Sequence, residues 1–155
     1  NGVKMKKLNV KKGFSLIELL VVIAIIGVLS AVGITAYTGY TASAKEQASR
    51  TQFAQVVSLI NAESAKCGLG SGNYAWGDAC SVATVTASSI VDHLYDDLGM
   101  KNPYNNTQDK ADFIVTTGDP DADGEMSIVV SGTEVTIKQQ VKDGTILSQV
   151  VDQAS

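Results

Sequence analysis

The sequence predicts an α+β fold in which a long N-terminal helical spine packs on a small antiparallel β-sheet head. Three observations support this class. Residues 14–37 are almost entirely apolar, an amphipathic pattern follows to about residue 66, and β-branched residues alternate in short segments from residue 112 onward. The length of 155 residues leaves room for about one domain, which argues against a multidomain enzyme.

The charges are unevenly distributed along the chain. Five of the twelve cationic residues lie within the first twelve positions: Lys4, Lys6, Lys7, Lys11 and Lys12. Beyond residue 13, seven cations face sixteen acids, a net charge of −9. This balance argues against nucleic-acid binding and against a peripheral basic membrane anchor. Residues 1–13 are therefore interpreted as a short basic leader.

Residues 14–37 form a candidate transmembrane helix with one ionisable side chain, Glu18. Twenty-four residues at ~1.5 Å per residue span roughly 36 Å, enough for a hydrocarbon core of about 30 Å. Because the lysines precede the apolar segment, we expect one crossing with the leader in the cytoplasm. The rest of the chain is then outside the cytoplasm.

Glu18 is the unusual feature of this segment. A carboxylate near the bilayer centre costs on the order of 2.5 kcal/mol, which the surrounding apolar residues outweigh at about −0.3 to −0.6 kcal/mol each. Insertion is therefore possible, but the carboxylate requires a partner. Cleavage after Gly13 would create an α-ammonium group on Phe14, and that group could neutralise a carboxylate of its own chain or of a neighbour.

The junction resembles the processing site and first helix of bacterial type IV pilins and type II secretion pseudopilins. The matching residues are Lys12-Gly13-Phe14-Ser15-Leu16-Ile17-Glu18-Leu19-Leu20, and the close resemblance covers about residues 5–50. It implies the type IV pilin fold, cleavage between Gly13 and Phe14 by a prepilin peptidase, and N-methylation of Phe14. It also implies that Glu18 meets the Phe14 amine of an adjacent subunit, and that inner-membrane assembly machinery stacks copies of the chain into a helical homopolymer.

One departure from that family concerns the end of the apolar segment. Many pilins carry a helix-kinking proline there, whereas the prolines of this chain are Pro103 and Pro120. Gly27, Gly33 and Gly39 either weaken the helix locally or allow close helix packing in the membrane.

Residues 38–66 are predicted to form the amphipathic half of the spine. Glycines from Gly68 onward are expected to end this helix after about fifty residues. So long a rod suggests burial against copies of the chain. The predicted core face comprises Phe53, Val56, Val57, Ile60, Ser64 and Cys67, and the predicted solvent face comprises Gln52, Gln55, Ser58 and Lys66.

Residues 67–155 are predicted to form the head. We expect a helix over residues 87–98, a turn at residues 101–106, and strands over residues 112–117, 126–131 and 133–142. Residues 145–151 are a fourth strand or a helix. The sheet is expected to pack on the core face of the spine.

Cys67 and Cys80 are the two cysteines, and they are predicted to form a disulfide because their segment lies outside the cytoplasm. A loop of about fourteen residues gives roughly 3 kcal/mol in the chain-entropy model. Tyr74 and Trp76 lie within this loop. They form either a contact surface or an aromatic lid over the core.

The segment 118–125 contains alternating carboxylates, Asp119, Asp121 and Asp123, followed by Gly124 and Glu125. This pattern matches the opening of a calcium loop. An EF-hand is excluded, because Val130 occupies the twelfth position and the flanks are typical of strands. A calcium-bound hairpin with these four acids as ligands and a solvated acidic turn both remain open. Major type II secretion pseudopilins bind calcium in a loop of this region, so these residues also favour the pseudopilin alternative.

The sequence does not indicate an enzyme or a required cofactor. His93 is the sole histidine, and the chain lacks nucleophile-elbow, phosphate-loop and zinc-ligand patterns. The preferred interpretation is a major type IV pilin, anchored in the inner membrane as a single-pass precursor and later displayed in an extracellular pilus. The alternatives are a type II secretion pseudopilin and a membrane-anchored calcium-binding or adhesive module that does not polymerise.

Overall fold

The computed structural model describes residues 13–81 and 85–153. The chain forms two compact units, residues 1–40 and residues 41–155. The first helix, α1 (Leu16–Gly68), has 53 residues. It begins in the first unit and ends in the second. Its length and its end at Gly68 confirm the predicted spine. Apart from Gly13, the predicted leader lies outside the described residues, and the division into four segments stays a prediction.

The end of α1 follows from the local sequence. The amide of Gly70 donates to the carbonyl of Cys67 (2.9 Å), and Gly70 has φ +86°, a conformation that glycine adopts without the steric cost of a Cβ atom. Gly27, Gly33 and Gly39 all lie within α1.

The predicted helix over residues 87–98 is present in two parts. Helix α2 (Ala87–Asp92) begins after Thr86, whose hydroxyl accepts a hydrogen bond from the amide of Ser89 (3.2 Å). It continues into a π-helical turn, His93–Asp97, in which the amide of Leu98 donates to the carbonyl of His93 (3.0 Å).

The rest of the second unit contains a short helix, α3 (Lys110–Phe113), and four strands. The strands are β1 (Ile114–Val115), β2 (Met126–Ser131), β3 (Glu134–Lys142) and β4 (Thr145–Asp152), and their order in the sheet is β1-β2-β3-β4. Strands β2, β3 and β4 pair antiparallel, with Ile128 opposite Ile137 and Ile137 opposite Gln149. Residues 145–151 therefore form a strand and not a helix.

The sheet is mixed, because β1 pairs parallel to β2 with Ile114 opposite Met126. The expected antiparallel pairing is confirmed for the last three strands and corrected for the first. The ten residues between β1 and β2 form a long loop that returns the chain to the same end of the sheet, which a tight hairpin cannot do. Asp112 and Phe113, expected in a strand, instead close the helical turn that begins after Asp109.

The core lies between α1, α2 and the sheet. Val56 and Ile60 of α1 are fully buried, as are Ile90, Leu94 and the inward residues of the central strands. Gln52 was expected on the solvent side of α1. Instead its side-chain oxygen accepts a hydrogen bond from Gln139 (2.9 Å), and its amide donates to the carbonyl of Lys101 (3.1 Å).

Tyr74 and Trp76 are buried in the core cluster, with their rings stacked at 4.7 Å between centroids. The structure therefore favours the aromatic lid over an exposed contact surface. Burial raises the pKa of the Tyr74 hydroxyl.

Candidate functional site

The candidate processing segment lies directly before α1. Gly13 and Phe14 are outside regular secondary structure, and Phe14 is 91% exposed. Ser15 occupies the N-cap position: its carbonyl accepts the hydrogen bond from the amide of Leu19 (3.2 Å). The Gly13–Phe14 bond is therefore outside the helix and exposed, as the substrate of a peptidase must be.

Ser15 and Glu18 form a reciprocal capping box. The Ser15 hydroxyl accepts a hydrogen bond from the amide of Glu18 (3.2 Å), and the Glu18 carboxylate accepts one from the amide of Ser15 (2.7 Å). The carboxylate thus has a partner within its own chain, at the helix end where the backbone dipole favours negative charge. The role of Ser15 was missed in the sequence, although a serine three residues before a glutamate and an apolar run is its signature.

Residues 13–40 present an uncovered and largely apolar surface. Every residue from 13 to 40 is exposed within the protein. Among the described residues one helix, α1, is long and apolar enough to cross a membrane. Its composition fits anchoring in a bilayer, and the same surface is available for contact with copies of the chain.

We expect Ser15→Ala to loosen the first turn of α1 without removing the charge of Glu18. Loss of an N-cap serine costs about 1 kcal/mol, so the amide of Glu18 should exchange its hydrogen about fivefold faster, provided local opening controls exchange. Hydrogen exchange of the full chain in detergent micelles measures this. Ser15→Thr, which keeps a hydroxyl at the N-cap, is the control and should exchange like the parent protein. Equal rates in Ser15→Ala and the parent would contradict the capping box.

The disulfide joins the end of α1 to the loop that follows it. Cys67 and Cys80 are bonded, with Cα atoms 5.3 Å apart, as predicted. The loop is also held by the carboxylate of Glu63, which accepts a hydrogen bond from the amide of Ala75 (2.6 Å) and pairs with Lys66 (2.5 Å). These contacts fix the loop that carries the two buried aromatic rings.

Replacing both cysteines by serine should lower the free energy of unfolding of the second unit by about 3 kcal/mol, because the open chain gains conformational entropy. Urea unfolding of the full chain in detergent, followed by the fluorescence of Trp76, measures the change. The parent protein treated with a reductant is the matched control and should lose the same amount. If the urea midpoint is unchanged in both the double variant and the reduced parent protein, the disulfide does not stabilise this unit.

Three of the four acids considered as calcium ligands, Glu125, Asp123 and Asp119, are bonded to protein donors through their carboxylates. Glu125 accepts hydrogen bonds from Gln108 (2.7 Å) and from the amides of Asp121 (3.2 Å) and Ala122 (3.1 Å). The carboxylate of Asp123 accepts one from Gln140 (3.1 Å). In a separate ion pair, the carboxylate of Asp119 bonds the ammonium of Lys138 at 2.5 Å.

These contacts do not fit a calcium cage. In residues 13–81 and 85–153 no group of three or more His, Cys, Asp or Glu side chains is arranged to hold a metal ion. Glu125 in particular serves the fold, since its two oxygens close the loop that precedes β2. Calcium at these residues stays a prediction.

The remaining charged cluster lies on α2 and the π-helical turn. The Nδ1 atom of His93 is 2.8 Å from the carboxylate of Asp97, and Lys110 bonds both Asp92 and Asp96 at 2.7 Å. The hydrogen bonds to Asp92 and Asp96 raise the pKa of Lys110 well above its ordinary value. Exposed ion pairs of this kind contribute little to stability, and their arrangement indicates a solvated face.

Comparison of the chain with curated proteins and with solved structures gave no match. Residues 8–34 match the family model of the prokaryotic N-terminal methylation motif. The match spans the Gly13–Phe14 junction, the capping box and most of the exposed apolar surface. The motif supports a prepilin of the type IV pilin or pseudopilin kind. It implies processing by a prepilin peptidase, and the resemblance seen in the sequence is thus confirmed: the chain carries a prepilin-type N-terminal methylation motif on a long apolar helix.

Proposed function

We propose that the chain is the major structural subunit of a type IV pilus. The observation that carries the proposal is the coincidence of the methylation motif with an exposed apolar segment, residues 14–37, that contains one carboxylate, Glu18. The segment 13–40 buries none of its side chains within the protein. Before assembly its surface is buried in the inner membrane, and afterwards it is buried against other copies.

The mechanism is associative. A prepilin peptidase cleaves the exposed Gly13–Phe14 bond and the new amine of Phe14 is methylated. A secondary amine stays protonated at neutral pH and attracts the Glu18 carboxylate of a neighbouring subunit. The capping box holds Glu18 in the first turn of its own helix until that neighbour arrives. This pairing sets the axial register, and the second unit forms the filament surface.

The experiment that tests processing is mass spectrometry of the chain from sheared surface material. We expect an N-terminus at Phe14 with one added methyl group. Gly13→Leu should block cleavage, because the small residue before the scissile bond is replaced by a branched one, and the membrane fraction should then retain residues 1–13. Gly13→Ala is the conservative control. A native chain that keeps its basic leader would contradict the proposal.

A type II secretion pseudopilin shares the same N-terminal motif and is the second candidate. It predicts that deletion of the chain abolishes protein secretion and that surface filaments are absent at native expression levels. A pilus predicts that deletion leaves protein secretion intact and that surface filaments are present at native expression levels. A membrane-anchored module that does not polymerise predicts processed chain in the membrane and none in sheared fibres.

A further inference from the structure

Strand β4 lies at one edge of the sheet and presents an open backbone. Among the described residues it pairs with β3 on one side and with no strand on the other. Natural proteins protect such edges by shortening the strand or by placing Lys or Pro in it. The other edge strand, β1, has two residues, whereas β4 has eight. Residues 145–151 (TILSQVV) contain no charge, no proline and no glycine.

The pairing of β3 with β2 and with β4 determines which backbone groups of β4 face the open edge of the sheet. Gln140 donates its amide to the carbonyl of Glu125 (3.0 Å) and accepts from the amide of Gly124 (2.7 Å), so its backbone faces β2. Because strand backbones alternate, Gln139 and Ile137 face β4, where they pair with Leu147 and Gln149. Ile146, Ser148 and Val150 therefore direct their amides and carbonyls to the open edge.

A contact beyond the end of β4 gives the same alternation. The amide of Gln153 donates to the carbonyl of Thr133 (2.7 Å), so odd-numbered residues of this segment face β3. The even-numbered residues between 146 and 150 face outward.

The side chains on this edge are complementary to a second copy of the same strand. Ile146 and Val150 are 39% and 47% exposed, lie on the same face of the sheet, and are placed symmetrically about Ser148. Two antiparallel copies centred on Ser148 would place Ile146 of each opposite Val150 of the other. Cross-strand pairs of β-branched residues stabilise a sheet by roughly 0.2–1 kcal/mol each.

The charge distribution also favours this contact. Residues 41–155 contain seven cations and fifteen acids, a net charge of −8, so two copies repel each other across most of their surfaces. An uncharged strand is a surface where they can meet. In the register centred on Ser148, Asp152 lies opposite Gly144 and Asp143 lies opposite Gln153, so like charges are not placed directly opposite each other.

We propose that the free edge of β4 binds the β4 edge of a second copy of this chain, antiparallel and about a two-fold axis at Ser148. The two sheets then form one continuous eight-stranded sheet. Such a contact is isologous and closes on itself, unlike the head-to-tail contacts of a filament. It joins two unassembled subunits or two neighbouring filaments, and it does not require that the chain polymerise.

The test is disulfide trapping in the full chain purified in detergent. In the proposed register the two Ser148 Cα atoms are about 5.5 Å apart, which is within the range of a disulfide. We expect Ser148→Cys to yield a disulfide-linked dimer as the major species on mild oxidation. Ser131→Cys, an exposed serine at the end of β2, is the control and should stay monomeric. Equal trapping of the two variants, or of neither, would overturn the proposal.

A mixing experiment tests the register. Ile146→Cys and Val150→Cys should each stay monomeric alone, because each residue is four positions from its own copy across the interface, a separation of roughly 13 Å. An equimolar mixture of the two variants should form the mixed dimer. A disulfide-linked dimer of either variant alone, or the absence of the mixed dimer from the mixture, would exclude this pairing. All of these results are obtained without filaments and are therefore independent of whether the chain forms a pilus.

Discussion

Gly124→Ala is expected to lower the free energy of unfolding of the second unit by about 3 kcal/mol or more, from two sources. Gly124 has φ +84°, a conformation that costs a residue with a Cβ atom roughly 1–2 kcal/mol. A Cβ atom there would also overlap the side chain of Asn102 and lie 2.9 Å from the ring of Tyr104. One of these groups must move.

The displacement of Asn102 is costly because this side chain is buried and fully hydrogen-bonded. It donates to the side chain of Gln108 (2.6 Å) and to the carbonyl of Asp123 (3.2 Å), and it accepts from the amide of Tyr104 (2.8 Å). A buried polar group left without its partner costs about 1–3 kcal/mol.

Gly118→Ala is the matched control for this prediction. Gly118 has φ +77°, but a Cβ atom there would meet open space, so only the backbone term of about 1–2 kcal/mol is expected. Urea unfolding of the full chain in detergent, followed by Trp76 fluorescence, compares the two variants. If Gly124→Ala costs no more than Gly118→Ala, the packing around Asn102 is not what requires glycine at position 124.

The sequence predicts the elements whose signals are local. The end of α1 follows from the glycines after Cys67, the Met126–Ser131 strand from its β-branched residues, and the disulfide from the compartment. The apolar helix is also a local signal, and α1 together with the methylation motif confirms it. These features depend on residues close together in the chain.

Some of the features that the sequence did not predict depend on partners far apart in the chain. Gln52 lies on the sheet side of α1 because Gln139, 87 residues away, supplies its hydrogen bond. The hydrogen bonds of Glu125 with Gln108, 17 residues away, and with the amides of Asp121 and Ala122 were not predicted either. Polar residues of this kind resemble solvent-exposed ones until their buried partners are known.

Glu18→Gln is expected to leave cleavage and membrane insertion intact but to abolish or strongly reduce incorporation into fibres. Glutamine can take the place of glutamate in a capping box, so the first turn of α1 should be retained. The charge, however, is lost. In an apolar interface the Phe14 ammonium would then be buried without its partner, at a cost of about 3–5 kcal/mol for each subunit.

The measurement is the amount of chain in sheared surface material relative to the membrane fraction, with the mature N-terminus determined in both. Ser15→Ala is the reciprocal control, because it removes the hydroxyl of the capping box and keeps the charge of Glu18. It should assemble at close to the parental level. Loss of fibres in Ser15→Ala but not in Glu18→Gln would show that the start of the helix, and not the opposing charges, governs assembly. Loss in Glu18→Gln alone is the result that electrostatic pairing with the Phe14 amine requires.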